Sequence, residues 1–422
     1  MTTTVGRPQR QEAADAERPL RIVLVEFLPS GGMFQFSFQF ATALAQAGHA
    51  VTLLTGPEPE LTSRVDGLQV RSVLPTWHPN ADPARNRWGK LRRVGRALRL
   101  LESWRRVLGY LVRERPDVAQ FGELRFPLDS AALATVAGLV PGTAFVDVAH
   151  NPLPYNVDHA DQAVEKGGPL TRALLARAYA ACAVVLVLGE GPRQQLREHF
   201  PGVGRIAICG HGDYASVLGS AEVPPPSAAP PAALFFGAWT KYKNIPLLLD
   251  AFALVRAGSA FRQSATTLPE ARLTLAGPVM PDVDLTEIRA RAEAIGHVDL
   301  RPGYVPLEDL PALFGAHRVV MFAYETVNVS GSVHMAYTFG RPVVATDVGA
   351  MVDSVRDGQT GLLVPPDPAS VAQAMISMLD PATADEMGAA AARHAQSAAS
   401  WSRVADRAEA AYRSALPGRT PS

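Results

Sequence analysis

Four short stretches of the 422-residue chain hold glycines, small polar residues and basic side chains in patterns that could serve an anionic ligand. Pro29-Ser-Gly-Gly-Met33 contains Gly31 and Gly32, which let the backbone approach a ligand closely and lead into a helix whose first amides attract an anion. A tight turn explains the same glycines, and the loop is neither a G-x-G-x-x-G fingerprint nor a Walker A loop. Ala149-His150-Asn151-Pro152 places a histidine at the exit of a strand, where it can donate a hydrogen bond, exchange a proton or satisfy a loop carbonyl. Phe236-Gly237-Ala-Trp-Thr-Lys241-Tyr-Lys243 sets two lysines beside a glycine turn, as phosphate clamps or as solvent-facing charges. Ser330-Gly331-Ser332 opens an apolar helix, either exposing orphan amides to a diphosphate or using serine as a plain N-cap.

The elements that carry these stretches follow an α/β rhythm. Arg21–Glu26 reads as a strand, Phe34–Ala47 as a helix closed by Gly48, and Ala50–Leu54 as the next strand. Such a βαβ unit implies a parallel sheet. Short strands are expected again at Asp117–Gln120, Ala144–Val148, Ala183–Val187 and Arg205–Ile208. After the proline-rich run Val223–Pro231 the rhythm restarts, with strands at Ala233–Phe236, Arg272–Leu275, Val298–Leu300, Val319–Phe322, Pro342–Ala345 and Gly361–Val364. From Pro368 to Ala415 the chain reads as several helices broken at Asp380-Pro381 and Trp401. In open parallel sheets ligands bind beyond the carboxyl ends of the strands, and all four candidate stretches fall there.

Composition narrows the function. Forty basic against forty acidic residues leave no net charge, which argues against a dedicated nucleic-acid binder. The two cysteines, Cys182 and Cys209, can build neither a disulfide framework nor a Cys-x-x-Cys zinc site, so a reducing, cytoplasmic setting and apolar packing are expected for them. The polar start of the chain lacks a signal-peptide core, and no apolar run is long enough to span a bilayer. Asp282-Val-Asp284 is similar to a metal-binding Asp-x-Asp, but its place in a proline-containing loop before a helix points to capping.

Taken together, these residues make the chain resemble the retaining glycosyltransferases of the GT-B fold, in the glycosyltransferase family 4 group, from about Arg21 to Tyr412. The markers are Gly31-Gly32, Gly48-His49-Ala-Val51 and His150 in the first half. In the second they are Phe235-Phe-Gly237 with Lys243, Leu275-Ala-Gly277, Tyr304-Val-Pro306, and Phe339-Gly-Arg-Pro-Val-Val-Ala-Thr-Asp-Val-Gly349 followed by Asp357-Gly-Gln-Thr-Gly-Leu-Leu-Val364. The resemblance implies an α/β fold of two Rossmann-like parallel-sheet domains facing a cleft, with a C-terminal helix crossing back to the first. The expected divisions are a disordered tail (1–18), an acceptor domain (19–213), a linker (214–232), a donor domain (233–395) and the returning helix (396–417).

It also implies roles. A nucleoside-diphosphate sugar would lie on the second domain, its diphosphate against Lys243 and the amides of Ser330, Gly331 and Ser332, its base near Tyr304 and Val305. Gly31, Gly32 and His150 would approach phosphates and sugar from the first domain. Many members carry two glutamates eight positions apart; here Val327 and Met335 stand there, and Tyr324-Glu-Thr-Val-Asn-Val-Ser330-Gly331 resembles a Tyr-x-x-x-x-x-Ser-Gly branch. Tyr324 then joins the donor wall and Glu325 is the substitute carboxylate. Ala238 replaces the usual arginine after Gly237, which leaves Lys241 as the substitute charge. The implied activity is retaining sugar transfer to a hydroxyl acceptor, with neither metal nor cofactor beyond the sugar nucleotide. A GT-B epimerase or hydrolase, or a non-catalytic sugar-nucleotide-binding subunit, are the alternatives.

Residues 85–115 hold eleven Lys/Arg against Glu102 and Glu114, with Leu91, Val94, Leu98, Leu101, Leu108 and Leu111 at helical spacing beside Trp88 and Trp104. Such a helix can rest on the inner face of an anionic membrane, steer a phosphate-bearing or lipid-linked acceptor, or pack its apolar stripe on the sheet.

Overall fold

The computed structural model describes residues 18–76, 89–122, 124–153, 168–218, 222–257, 268, 270–327 and 330–416. The expected tail lies outside them apart from Arg18, as do Trp88 and the side chain of Leu91. Two parallel sheets form. The first has seven strands in the order β3-β2-β1-β4-β5-β6-β7, the second six in the order β10-β9-β8-β11-β12-β13. The strands of the first are β1 (Arg21–Val25), β2 (Ala50–Thr55), β3 (Leu68–Ser72), β4 (Val118–Phe121), β5 (Ala144–Val148), β6 (Val184–Val187) and β7 (Ile206–Ile208). Those of the second are β8 (Ala232–Phe236), β9 (Arg272–Gly277), β10 (Val298–Pro302), β11 (Val319–Phe322), β12 (Val343–Thr346) and β13 (Gly361–Val364). In each sheet the strand order reverses once, between β1 and β4 and between β8 and β11, and such switch points open the crevices that receive ligands.

Strand β1 shows why both faces of the first sheet must be covered. Ile22 and Leu24 point into one core with Phe34, Phe36 and Phe40 of helix Gly32–Gln46. Val23 and Val25 point into the other, with Leu100, Trp104, Val107 and Leu111 of helix Gly89–Glu114. The terminal segment breaks into helices Pro368–Leu379, Pro381–Ser397 and Trp401–Ala415. The last of these completes the first domain's core, because Val404, Ala405, Ala408 and Tyr412 are buried among the residues of β1, β2 and β5. Trp401 also packs edge-on against Phe36, with ring centres 5.1 Å apart.

Two expectations need correction. The edge strand β3, Leu-Gln-Val-Arg-Ser, was not expected, because only Leu68 is buried and the apolar signal is nearly absent. On helix Gly89–Glu114 the sequence points to Val94, Leu98 and Leu101 as core-facing. They are instead 59%, 61% and 49% exposed, and the buried stripe runs through Leu100, Trp104, Val107 and Leu111.

Candidate active site

A cleft of about 570 Å³ opens between the carboxyl edges of the two sheets. The first domain contributes Gly31 and Gly32 after β1, Phe36 of the following helix, His150 after β5 and His211 after β7. The second contributes Gly237 and Lys243 after β8, Gly277 at the end of β9, Tyr304 and Val305 after β10, and Gly331 and Ser332 after β11. Nine of the sequence candidates thus share one cavity: Gly31, Gly32, His150, Gly237, Lys243, Tyr304, Val305, Gly331 and Ser332.

Lys241, Tyr324, Glu325 and Ser330 do not line it. Lys241 and Lys243 sit two apart in a 3₁₀ turn, Lys241–Lys243, whose three-residue period sends their side chains to different sides. Lys241 is exposed, with its amide held by Asp282 at 2.9 Å, while Lys243 is buried. Tyr324 is a core residue whose ring lies 5.5 Å from the Lys243 ammonium. Glu325, one residue further along an extended segment, faces solvent, and its amide donates to the carbonyl of Tyr242 at 2.8 Å. Ser330 is the buried N-cap of helix Gly331–Thr338, yet its side chain makes no capping bond. Asp284 caps helix Leu285–Ile295 by accepting from the amides of Thr286 and Glu287, so the Asp-x-Asp pair is engaged structurally.

The second-domain wall is built for an anion. Gly237 has φ +126°, and a β-carbon there would stand 2.7 Å from the Lys243 ammonium and 3.2 Å from the Ser332 hydroxyl. Gly277 has φ +141°, and its missing β-carbon leaves room for the Gly237 carbonyl. Glycine is therefore needed at both positions for backbone angle and for space. Burial pushes the Lys243 ammonium down to about 8, and no carboxylate pairs with it among the described residues. An uncompensated buried cation beside a helix N-terminus is a standing attraction for phosphate.

The first-domain wall is neutral and aromatic. Gly31, at φ 86°, caps helix Gly32–Gln46, and its amide donates to Glu60 at 2.9 Å. The Gln35 amide also donates to Glu60, at 3.2 Å, and the Tyr304 hydroxyl donates to the same carboxylate across the cleft. His150 leaves β5 with its ring edge on Phe36, centres 4.5 Å apart, and its Nε2 has no hydrogen-bond partner among the described residues. Burial and the nearby charge of Arg125 lower its pKa to about 3, so the ring is neutral at pH 7. At the positions of the paired glutamates, Val327 is buried and Met335 is a thioether lining the cleft.

Sequence reasoning missed His211, Tyr214, Glu60 and Phe36. Gly210-His211-Gly212 leaves β7 much as Ala149-His150 leaves β5, and that parallel could have exposed His211. Glu60 carried no local signal, because its role depends on residues 29 and 244 positions away.

Known proteins match the chain in both halves. Residues 30–212 match the family model for Glycosyltransferase Family 4, and residues 230–381 that for Glycosyl transferases group 1. The D-inositol 3-phosphate glycosyltransferase of Arthrobacter sp. (strain FB24) is 35% identical over 181 residues, 41% of this chain and 40% of that protein. The chain thus spans about two fifths of the length of the curated relatives it matches. Among solved structures, sucrose-phosphate synthase from Thermosynechococcus elongatus superimposes with a TM-score of 0.68 at 19% identity, covering 93% of this chain and 98% of that one. Anabaena HepE in complex with UDP and glucose gives a TM-score of 0.63 at 14% identity, covering 92% and 98%. Matched in both halves and folded as two facing parallel-sheet domains of the GT-B type, the chain belongs to the family 4-like glycosyltransferases.

Proposed function

We propose that the protein is a retaining, metal-independent glycosyltransferase that moves a sugar from a nucleoside-diphosphate donor to a hydroxyl acceptor. The observation that carries this reading is the buried Lys243, uncompensated by any carboxylate among the described residues, beside the amides of Gly331 and Ser332 in a glycine-lined wall. Lysine and helix amides supply the positive field that a leaving diphosphate needs, the part a divalent ion would otherwise play. Tyr304 and Val305 border the cleft and an adjoining hollow of about 420 Å³, to which we assign the nucleobase. The structure of Anabaena HepE in complex with UDP-glucose gives a precedent on the same fold for such a ligand.

Retention is carried over from the resemblance to the retaining GT-B enzymes, and the lining bears on the route by which it would run. Among the described residues, none of those lining the cleft is a carboxylate able to form a covalent sugar intermediate. The acceptor hydroxyl is then best placed on the face the diphosphate leaves. The bond from the anomeric carbon to phosphate oxygen breaks, the bond to the acceptor oxygen forms, and the acceptor's proton passes to the departing phosphate. His150, neutral and with Nε2 unpartnered among the described residues, hydrogen-bonds the sugar as charge develops.

The acceptor is assigned to the first domain, where a hollow of about 210 Å³ is lined by Glu26, Arg96, Arg125 and Asp129 at the edge of β1. A phosphate-bearing acceptor there would meet Arg96 and Arg125 alongside Glu26, which lies 3.9 Å from Arg125, and Asp129, and the curated relatives are named for inositol 3-phosphate. Among the described residues no helix is long and apolar enough to cross a membrane. A cytoplasmic enzyme resting on the inner membrane face is supported by exposed Val94, Leu98 and Leu101 beside exposed Arg99, Arg105 and Arg106.

The test is a thermal-shift screen of uridine, guanosine and adenosine diphosphates and their hexose conjugates, followed by product analysis with and without chelator. Stabilisation by one diphosphate family, and sugar transfer that persists in EDTA, are expected. Turnover lost in EDTA and restored by Mg²⁺ overturns the metal-free mechanism. Free sugar or an epimer formed without acceptor identifies a hydrolase or epimerase instead. Binding without turnover across acceptors identifies a non-catalytic subunit.

A further inference from the structure

His211 and Tyr214 follow β7, where the chain passes from the first domain to the second. Both are more than nine-tenths buried, at 8% and 4% exposure, and both line the cleft. His211 is locked by its surroundings. Its ring stacks on His334 of helix Gly331–Thr338 with centres 4.5 Å apart and planes 10° from parallel, and it meets Phe36 edge-on at 5.1 Å. Its Nδ1 lies 2.7 Å from the carbonyl oxygen of Gly212. A carbonyl only accepts, so Nδ1 carries the proton, and in the neutral ring Nε2 is left as a bare lone pair. The neutral form is favoured, since burial and the neighbouring His150 lower the pKa of His211 to about 4.

That lone pair and the Tyr214 hydroxyl converge on one spot. A β-carbon on Gly331 would stand 2.9 Å from the hydroxyl and 3.3 Å from Nε2. The first residue of the helix is thus glycine because two polar side-chain atoms occupy the space beside it. Neither atom is paired with protein among the described residues.

Phosphate cannot be what both atoms await. Phosphate oxygens accept hydrogen bonds, and the lone pair on Nε2 repels them; an acceptor buried here needs a donor. The donors already facing the diphosphate position are Lys243 and the helix amides. An acceptor and a hydroxyl side by side, next to that position, complement neighbouring hydroxyls of a sugar attached to the diphosphate.

We propose that His211 and Tyr214 form the sugar-recognition pair of this cleft, binding hydroxyls of the transferred sugar where Val327 and Met335 offer no carboxylate. This rests on the assignment of the cleft to a nucleoside-diphosphate sugar. The pair sets donor-sugar specificity and leaves nucleotide affinity to the second domain.

The test compares Tyr214→Phe and His211→Phe with wild type for binding of UDP, GDP and ADP, and of UDP-glucose, GDP-mannose and ADP-glucose, by calorimetry. Tyr214→Phe keeps the ring and removes only the hydroxyl. His211→Phe keeps an aromatic stack and removes the lone pair. The expected result is a diphosphate Kd within about twofold of wild type and a sugar-conjugate Kd raised about five- to tenfold, the loss of one neutral hydrogen bond. Equal losses for diphosphate and conjugate place the pair at the phosphates and overturn the proposal, as do folded variants that bind both normally. If His211→Phe does not fold, Tyr214→Phe decides alone. A wild-type protein that binds none of the diphosphates overturns the cleft assignment itself, and this inference falls with it.

Discussion

A β-carbon on Gly237 would stand 2.7 Å from the Lys243 ammonium, so the glycine and the cation are fitted to each other. Gly237→Ala therefore imposes two costs: a residue with φ near +126° and a displaced ammonium. Strain of this kind is about 1–3 kcal/mol. A lower melting temperature and at least a tenfold weaker diphosphate Kd are expected. Normal affinity in calorimetry would show that Lys243 does not need its present position.

Lys243→Met separates binding from stability. Burial lowers the ammonium to about 8 from an unperturbed 10.5, so the ionised form weighs on the ligand-free fold by roughly 3 kcal/mol. That burden is present in full below about pH 8 and fades as pH rises to 10.5, because the unfolded chain then holds the proton longer than the fold does. The methionine variant should be at least as stable as wild type at pH 7 while losing diphosphate affinity more than tenfold. In wild type the affinity should decline as pH climbs past the value of about 8, shifted upward once phosphate is bound. Titration calorimetry from pH 6.5 to 9.5 measures the affinity, and melting temperatures over the same range measure the stability.

His150→Ala should lower kcat strongly and leave diphosphate Kd nearly unchanged, since Lys243 and the helix amides lie on the other domain. Its pKa of about 3 means that no limb of the pH–rate profile between pH 5 and 7 should belong to it. The same depression makes its contribution to stability fall as pH drops from about 6.5 toward 3, where the unfolded ring charges first. Loss of melting temperature with normal kcat would return His150 to a scaffold role.

Leu98→Glu with Leu101→Glu should abolish flotation with phosphatidylglycerol vesicles and leave the melting temperature alone. Both side chains are about half or more exposed, at 61% and 49%, so the core does not miss them. Persistent flotation would remove this helix face from the membrane assignment.

The sequence revealed the sheets well because buried parallel strands are continuous apolar runs, as in Val184–Val187 and Val319–Phe322. It failed at β3, whose alternating, mostly exposed residues leave no such run. The glycine loops and Lys243 were legible from local spacing. Lys241 and Glu325 were misplaced because side-chain direction depends on a 3₁₀ turn and on the phase of an extended segment, which residue type does not encode. Tyr214 was missed because it read as the first residue of the linker, and His211 because its stretch after β7 was passed over just before that boundary. The convergence of the two side chains comes from Gly331, more than a hundred residues away, and no local pattern carries that pairing.

Helix Trp401–Ala415 has a consequence for the order of assembly. Its Val404, Ala405, Ala408 and Tyr412 fill the core that β1 and β2 begin near residue 20, and the Tyr412 hydroxyl bonds Gln120 of β4. The Trp401 indole donates to Gln39 at 3.1 Å. A ribosome makes these residues only after the whole second-domain sheet has been synthesised. The first domain therefore waits through most of translation with one sheet face covered only in part, by helix Gly32–Gln46, and a chain cut before residue 401 leaves the remaining apolar surface open to chaperones and to other chains.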